Sequence, residues 1–137
     1  MGLTVLDAGV IIGFLDGNDA HHPAARSALS DARRRGDRLV LPASAFAEIL
    51  VGPSRTGPSE VAVVRRLVER VPIEVESLGA EVAVTAAALR ARHPSLKLPD
   101  ALVIATAAHL KADHLVTTDR HWPSKSKMKL ATMITEI

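Results

Sequence analysis

Four acids in this chain stand where metal-assisted chemistry on a phosphate could be done: Asp7, Glu48, Asp100 and Asp119. Each adjoins or lies in an apolar run that reads as a strand or a helix. Asp7 directly follows Leu3-Thr4-Val5-Leu6, and Asp119 directly follows His114-Leu115-Val116-Thr117-Thr118. Glu48 interrupts the otherwise apolar stretch Ala45-Phe46-Ala47-Glu48-Ile49-Leu50, and Asp100 follows Leu98-Pro99. A carboxylate among apolar neighbours is costly unless it is paired or bound to a cation. If the four converge, they also repel: two unit charges about 4 Å apart interact at roughly 4 kcal/mol for an effective dielectric near 20. Protonation or bound cations relieve that repulsion. Hard oxygen donors without a His/Cys cluster favour Mg²⁺ or Mn²⁺ over zinc. Acid-only sites of this kind suit two-metal hydrolysis of a phosphodiester.

Each acid also has a plainer reading. Asp7 can cap a helix beginning at Ala8. Asp100 suits the positive end of a helix dipole. Asp119 fits a turn, and Glu48 could fall on a narrow polar stripe. The case for a site therefore rests on whether the intervening elements bring the four together.

Those elements alternate. Leu3–Leu6 reads as a buried strand, and Ala8–Leu15 as a short helix closed by the turn-forming Asp16-Gly17-Asn18-Asp19. His22-Pro23 opens a helix that ends in Arg33-Arg34-Arg35-Gly36, a basic last turn followed by a capping glycine. Arg38–Leu41 is a second strand stopped by Pro42. Ser44 can cap a helix running to about Val51, where Gly52-Pro53 breaks it, and Gly52 to Ser59 reads as a loop. Glu60–Arg70 is an amphipathic helix, Pro72–Glu76 a strand, and Gly79–Arg92 an alanine-rich helix. His93-Pro94-Ser95 breaks that helix, and Pro99 sits in the first turn of the next, which runs to about Lys111. His114–Thr118 is a fourth strand and Leu130–Ile134 a short fifth. No connection carries a two-residue hairpin signature, so the pattern predicts a parallel sheet of four to five strands with helices on both faces. In such a sheet ligands bind at the carboxyl ends of the strands, where Asp7 and Asp119 fall.

At 137 residues the chain reads as a single domain, residues 1–137, with 47% hydrophobic and 23% charged residues. It has no cysteine, which excludes disulfides and cysteine-held zinc. The amino terminus has no basic, apolar leader, and Val10–Leu15 is too short to cross a bilayer. A soluble, cytoplasmic protein is expected. Net charge is +2, from seventeen basic and fifteen acidic side chains. Setting the four candidate acids aside leaves eleven acids against seventeen bases, which is either ordinary solubility charge or a basic surface around an acidic pocket that suits a polyanionic substrate. The only aromatic residues are Phe14, Phe46 and Trp122, too few for a platform that stacks several bases.

Four fragments, Val5–Ile12, Ala43–Leu50, Leu98–Ala107 and Leu115–Arg120, in this order and spacing, resemble the PIN-domain nucleases, and among them the VapC-type toxins of bacterial toxin–antitoxin pairs. The resemblance spans essentially the whole chain. It implies a PIN-like three-layer α/β/α fold and a metal-dependent endoribonuclease. Asp7, Glu48 and Asp100 correspond to the acids that hold the principal metal, Mg²⁺ or Mn²⁺, and Asp119 to a further acid of the site. Thr117 falls where the family often has a hydroxyl residue near the metals. Family members cut RNA, often a tRNA or rRNA loop. They usually form homodimers and are neutralised by a cognate antitoxin, here of the VapB type. This chain departs from the pattern at Ala8 and Gly9, where many relatives have Ser or Thr, and at His121, where many have a second acid. These departures bear on the second metal.

Other residues carry weaker signals. His21 and His22 invite a metal reading but fit an exposed turn, and His93, His109, His114 and His121 show no zinc-like spacing together. Arg33-Arg34-Arg35, Arg65-Arg66 and Lys125, Lys127 and Lys129 are basic clusters that could hold phosphates or simply be solvated. Trp122 fits the core better than a base stack. A receiver-type phosphoacceptor would need a well-placed late lysine that is not evident, and a silent RNA- or protein-binding module would not need the four acids. No Gly-rich loop follows the first strand, and no Gly-x-Ser-x-Gly elbow is present.

Overall fold

The computed structural model describes residues 2–137. Its strands are β1 (Leu3–Leu6), β2 (Arg38–Pro42), β3 (Glu74–Glu76), β4 (His114–Thr117) and β5 (Met133–Glu136). Its helices are α1 (Ala8–Leu15), α2 (His22–Arg34), α3 (Ala43–Thr56), α4 (Pro58–Arg70), α5 (Ala80–Arg92) and α6 (Leu98–His109). The strands form one sheet in the order β3-β2-β1-β4-β5, with every neighbouring pair parallel. The chain steps outward from β1 to β3, then crosses back to β4 on the other side of β1. Because such crossovers are right-handed, this reversal puts helices on both faces of the sheet. The α/β/α layering predicted from the alternation is thus the one observed.

The central strands are apolar almost throughout, as a sheet covered on both faces requires. Val5, Leu6, Leu41 and Leu115 are fully buried, and each such side chain stabilises the fold by about 1.5–3 kcal/mol. Thr4 is the polar exception in β1; its buried hydroxyl donates to Asp37 Oδ2 at 2.8 Å. Helix α6 contributes Ala101, Val103, Ile104, Ala105 and Ala107 to the same core and packs against both α5 and the central strands.

Several boundaries differ from the sequence expectation. Helix α3 does not break at Gly52-Pro53 but runs to Thr56 with Pro53 inside it. Pro53 offers no amide to the Ile49 carbonyl one turn earlier, and the turn beyond it, Ser54 to Thr56, is exposed and continues the helix. The break comes at Gly57, whose φ of +150° only glycine adopts readily, and Pro58 then opens α4. Ser44 is not the cap of α3. The strand β2 runs directly into the helix, Pro42 occupies the cap position, and Ser44 Oγ is buried without a hydrogen-bond partner. The ladder of β3 begins at Glu74, because Pro72 has no amide to offer and Ile73 bonds back to Val68 O. The fifth strand is shifted to Met133–Glu136. Its register is pinned by Thr132 Oγ1 donating to Ala112 O at 2.8 Å and Met133 N–H donating to Asp113 O at 2.9 Å. Leu130 instead closes the preceding turn and packs on the core.

Candidate functional site

The reversal of chain direction across β1 opens a crevice at the carboxyl ends of β1 and β4, the place where open α/β sheets bind ligands. Asp7 leaves β1 there, with its amide donating to Val116 O of β4 at 3.0 Å. Asp119 follows β4, and Glu48 comes from α3, which follows β2. Helix α6 runs back along the sheet to reach β4, so its first turn, with Asp100, lies at the same end. All four predicted acids line one open cleft of about 480 Å³, together with Gly9, Thr118, Arg120 and His121.

Asp7 is the most constrained of them, only 8% exposed. Its Oδ1 accepts from the Ala8 amide at 2.8 Å and so caps α1, while its Oδ2 accepts from the Thr117 hydroxyl at 2.8 Å. The helix-cap reading and the cleft reading therefore hold for the same carboxylate. The Thr117 hydroxyl in turn accepts from the Asp119 amide at 3.0 Å, which ties the turn after β4 to the end of β1. Asp119 Oδ1 accepts from the His121 amide at 2.7 Å, an Asx-type turn. Asp100 is half-buried, and Glu48 is an exposed residue whose carboxyl is partly desolvated where it enters the cleft.

These surroundings disturb the acids in a consistent direction. Burial pushes the Asp7 carboxyl above its ordinary range; the Thr117 and Ala8 hydrogen bonds pull it back, and the charge of Asp119 adds to the rise. Burial also raises Glu48, with Asp7 and Asp100 adding repulsion. Asp100 is raised by burial first, then by Asp7 and Asp119, against a downward pull from Trp122 and Lys97. The Trp122 indole N–H approaches Asp100 without completing a hydrogen bond, and it is buried with no other partner. Asp7 is thus the hub, feeling or exerting repulsion on each of the other three.

Among the described residues, none of the four acids is ion-paired with a lysine or arginine. Their donor chemistry fits a hard divalent cation, which would supply the missing compensation. Among the described residues no three His, Cys, Asp or Glu side chains stand close enough together to hold a metal ion as they are placed; the acids line an open cleft instead. That openness suits Mg²⁺ in particular, which keeps several waters and is commonly held by one or two carboxylates plus substrate phosphate.

The PIN domain family matches the sequence over residues 4–127, nearly its whole length. The chain belongs to the PIN-domain family. Solved structures agree on the fold. A VapBC2 complex from Rickettsia felis, crystallised with a promoter DNA fragment, superposes with a TM-score of 0.71 at 13% identity, covering 98% of each chain. The Mycobacterium tuberculosis toxin VapC20, which cleaves the sarcin–ricin loop, gives 0.68 at 15% identity over 86% of this chain and 91% of that one. A toxin–antitoxin complex from Klebsiella pneumoniae gives 0.68 at 21% identity, over 86% and 88%. No curated protein sequence matches significantly.

In this PIN domain the cleft also contains residues that sequence reasoning missed. A side chain at Gly9 would run into the Thr118 hydroxyl, so the missing Cβ lets Thr118 lean over the start of α1 into the cleft. The signal was available: glycine early in a helix is about 1 kcal/mol worse than alanine, and no turn requires it there. Arg120 is the basic residue that lines the cleft, whereas the Arg33–Arg35, Arg65-Arg66 and Lys125–Lys129 clusters do not. His21 pairs with Asp19 at 3.3 Å and His22 Nδ1 lies 2.9 Å from Gly13 O, so both serve the turn between α1 and α2. Trp122 is partly buried against the core. Among the described residues no helix is long and apolar enough to cross a membrane.

Proposed function

We propose that this PIN domain is a Mg²⁺- or Mn²⁺-dependent endoribonuclease, acting as the toxin of a toxin–antitoxin pair. The observation that carries this reading is the meeting of Asp7, Glu48, Asp100 and Asp119, from four separate segments, in one cleft, where burial and mutual repulsion hold the Asp7, Glu48 and Asp100 carboxyls above their ordinary pKa range. These four side chains would hold the metal, which when bound activates water and neutralises charge on the phosphate. Thr117 fixes the Asp7 carboxylate and the Asp119 backbone relative to each other. Arg120 and His121, exposed at the rim, meet the phosphates of the incoming strand. The basic remainder of the surface favours the approach of a polyanion.

Structures that share this fold include toxins captured with antitoxins, and one toxin that cleaves the sarcin–ricin loop. The last supports a structured RNA loop as substrate, an rRNA or, on the family resemblance, a tRNA loop, and the complexes support a VapB-type antitoxin as inhibitor. A homodimer of single-domain chains acting in the cytoplasm completes the reading.

The test is digestion of total RNA with Mg²⁺, with Mn²⁺ and with EDTA, with Asp100→Asn beside the wild type. The substitution removes a charge from the cleft and little shape, so it should abolish cleavage and leave the fold intact. Wild-type cleavage by the variant would sink the assignment. A folded, antitoxin-free wild type that cuts nothing would point instead to a silent RNA- or protein-binding module.

A further inference from the structure

Beside the acid cleft lies a second pocket that the metal chemistry does not use. It has a volume of about 370 Å³ and is lined by Trp122, Pro123, Ser124, Lys125, Ile134 and Glu136. The two sites share a wall in sequence. Residues Thr118 to His121 line the acid cleft, and the next four residues line this pocket. Trp122 bridges them, its indole N–H approaching Asp100 while the residue also forms part of the second pocket. The pocket has an apolar wall of Trp122, Pro123 and Ile134, and a polar rim of one hydroxyl, one cation and one carboxylate. Trp122 and Ile134 are partly buried and packed against the core, so that wall is held in place.

We propose that this pocket is a nucleobase subsite for the nucleotide next to the phosphate in the acid cleft. The inference rests on the ribonuclease reading of that cleft. A base is a flat group with apolar faces and a hydrogen-bonding edge, which matches an apolar wall with a polar rim. Lys125 is placed for the flanking phosphate, and a neutral or anionic small molecule without a base would leave the tryptophan wall unused. The Glu136 carboxylate only accepts hydrogen bonds when ionised. It therefore favours bases that present an exocyclic amine, adenine and cytosine among them, over uracil.

Because Trp122 is the only tryptophan in the chain, its fluorescence is a single-site signal from the wall between pocket and cleft, and an abasic strand with the same phosphates controls for changes that arise in the cleft. The experiment uses full-length Glu48→Gln, cleavage-deficient on the reading above and altered outside the pocket. It is titrated in Mg²⁺ with single-stranded hexamers of adenylate, cytidylate and uridylate, and with an abasic hexamer carrying the same phosphates. Adenylate and cytidylate should quench the tryptophan and bind about 5- to 150-fold more tightly than the abasic strand, the range expected of one base stacked on an aromatic ring. Lys125→Ala should weaken all four, and Glu136→Gln should erase the preference over uridylate. Both residues are on the pocket's polar rim, so neither substitution empties the core. Equal binding and equal quenching by the abasic strand, or no quenching by any strand, overturns the inference. Wild-type cleavage of total RNA is scored in parallel. Cleavage without base-dependent quenching leaves the nuclease reading standing and removes the subsite; base-dependent quenching without cleavage supports the subsite and removes the nuclease.

Discussion

Thr117→Val is the substitution that most directly interrogates how the cleft is held together. Valine keeps the shape of a side chain that is fully buried, and it deletes one hydroxyl. That hydroxyl makes two bonds: it donates to Asp7 Oδ2 at 2.8 Å and accepts from the Asp119 amide at 3.0 Å. A bond to a carboxylate contributes about 1.5–3 kcal/mol and a neutral one about 0.5–1.5 kcal/mol. The new methyl returns about 0.8 kcal/mol by its burial. The net loss is therefore about 1–4 kcal/mol, or roughly 4–14 °C in Tm for a chain of this size. Activity should fall more than stability, because Asp7 loses its anchor and the Asp119 turn is freed from β1; a drop of roughly 10- to 100-fold in kcat is expected. The lost bond favoured the ionised Asp7, so the acidic limb of the activity profile should move to higher pH. Thr117→Ser retains both bonds and should keep the wild-type pH profile. Urea and thermal unfolding beside a pH–rate series on one RNA substrate would measure all of this. If Thr117→Val melts within about 1 °C of wild type and keeps its pH profile, the hydroxyl does not organise the site.

Stability should respond to pH and metal together. Asp7, Glu48 and Asp100 have raised values in the folded state, so the folded chain holds protons more tightly than the unfolded one. Their contribution is fully present below the ordinary carboxylate range near pH 4 and is lost as pH rises through the raised values. Asp37 and Glu74 are shifted downward and act in the opposite sense, but only as pH falls below that range. In EDTA, Tm should accordingly decline between about pH 4 and neutrality, and Mg²⁺ should restore it at the upper end; melts indifferent to Mg²⁺ at pH 7.5 would count against a metal site. Gly9→Ala sets helix propensity, a gain of about 0.5–1 kcal/mol, against a collision with Thr118 that costs about 1–3 kcal/mol. The single variant should be less stable and less active than wild type, and the Gly9→Ala/Thr118→Ala pair should recover stability. A stabilised single variant, read by urea midpoint, would show that Thr118 moves aside freely.

The acids were legible in the sequence because each adjoins or interrupts an apolar run, and the order of those runs fixes which sheet end they share. The alternation of elements carried the parallel sheet for the same reason: patterning at periods of 2 and 3.6 residues is local information. What was lost depended on contacts distant in sequence. Ser44 looks like a cap, yet β2 runs into α3 with no residue left to turn. Leu130 looks like strand, yet Thr132 and Asp113 set where pairing begins. Pro53 looks like a stop, yet an exposed last turn tolerates it, and the actual break depends on the positive φ of Gly57. Thr118 could not be placed at all without the path of α1 beneath it.

The position of β4 has a consequence for when the cleft comes into existence. Strand β4 pairs between β1 and β5, more than a hundred residues after β1, and only its docking brings Thr117 and Asp119 to Asp7. Parallel pairing across so much chain is a late event, since the closure entropy of the intervening segment is met before the contacts repay it. A half-folded molecule, with β1, β2 and β3 already joined, therefore carries Asp7 and Glu48 without the Thr117 bond and the Asp119 turn that complete the cleft. On this topology, the four-acid cleft exists only in the completed fold.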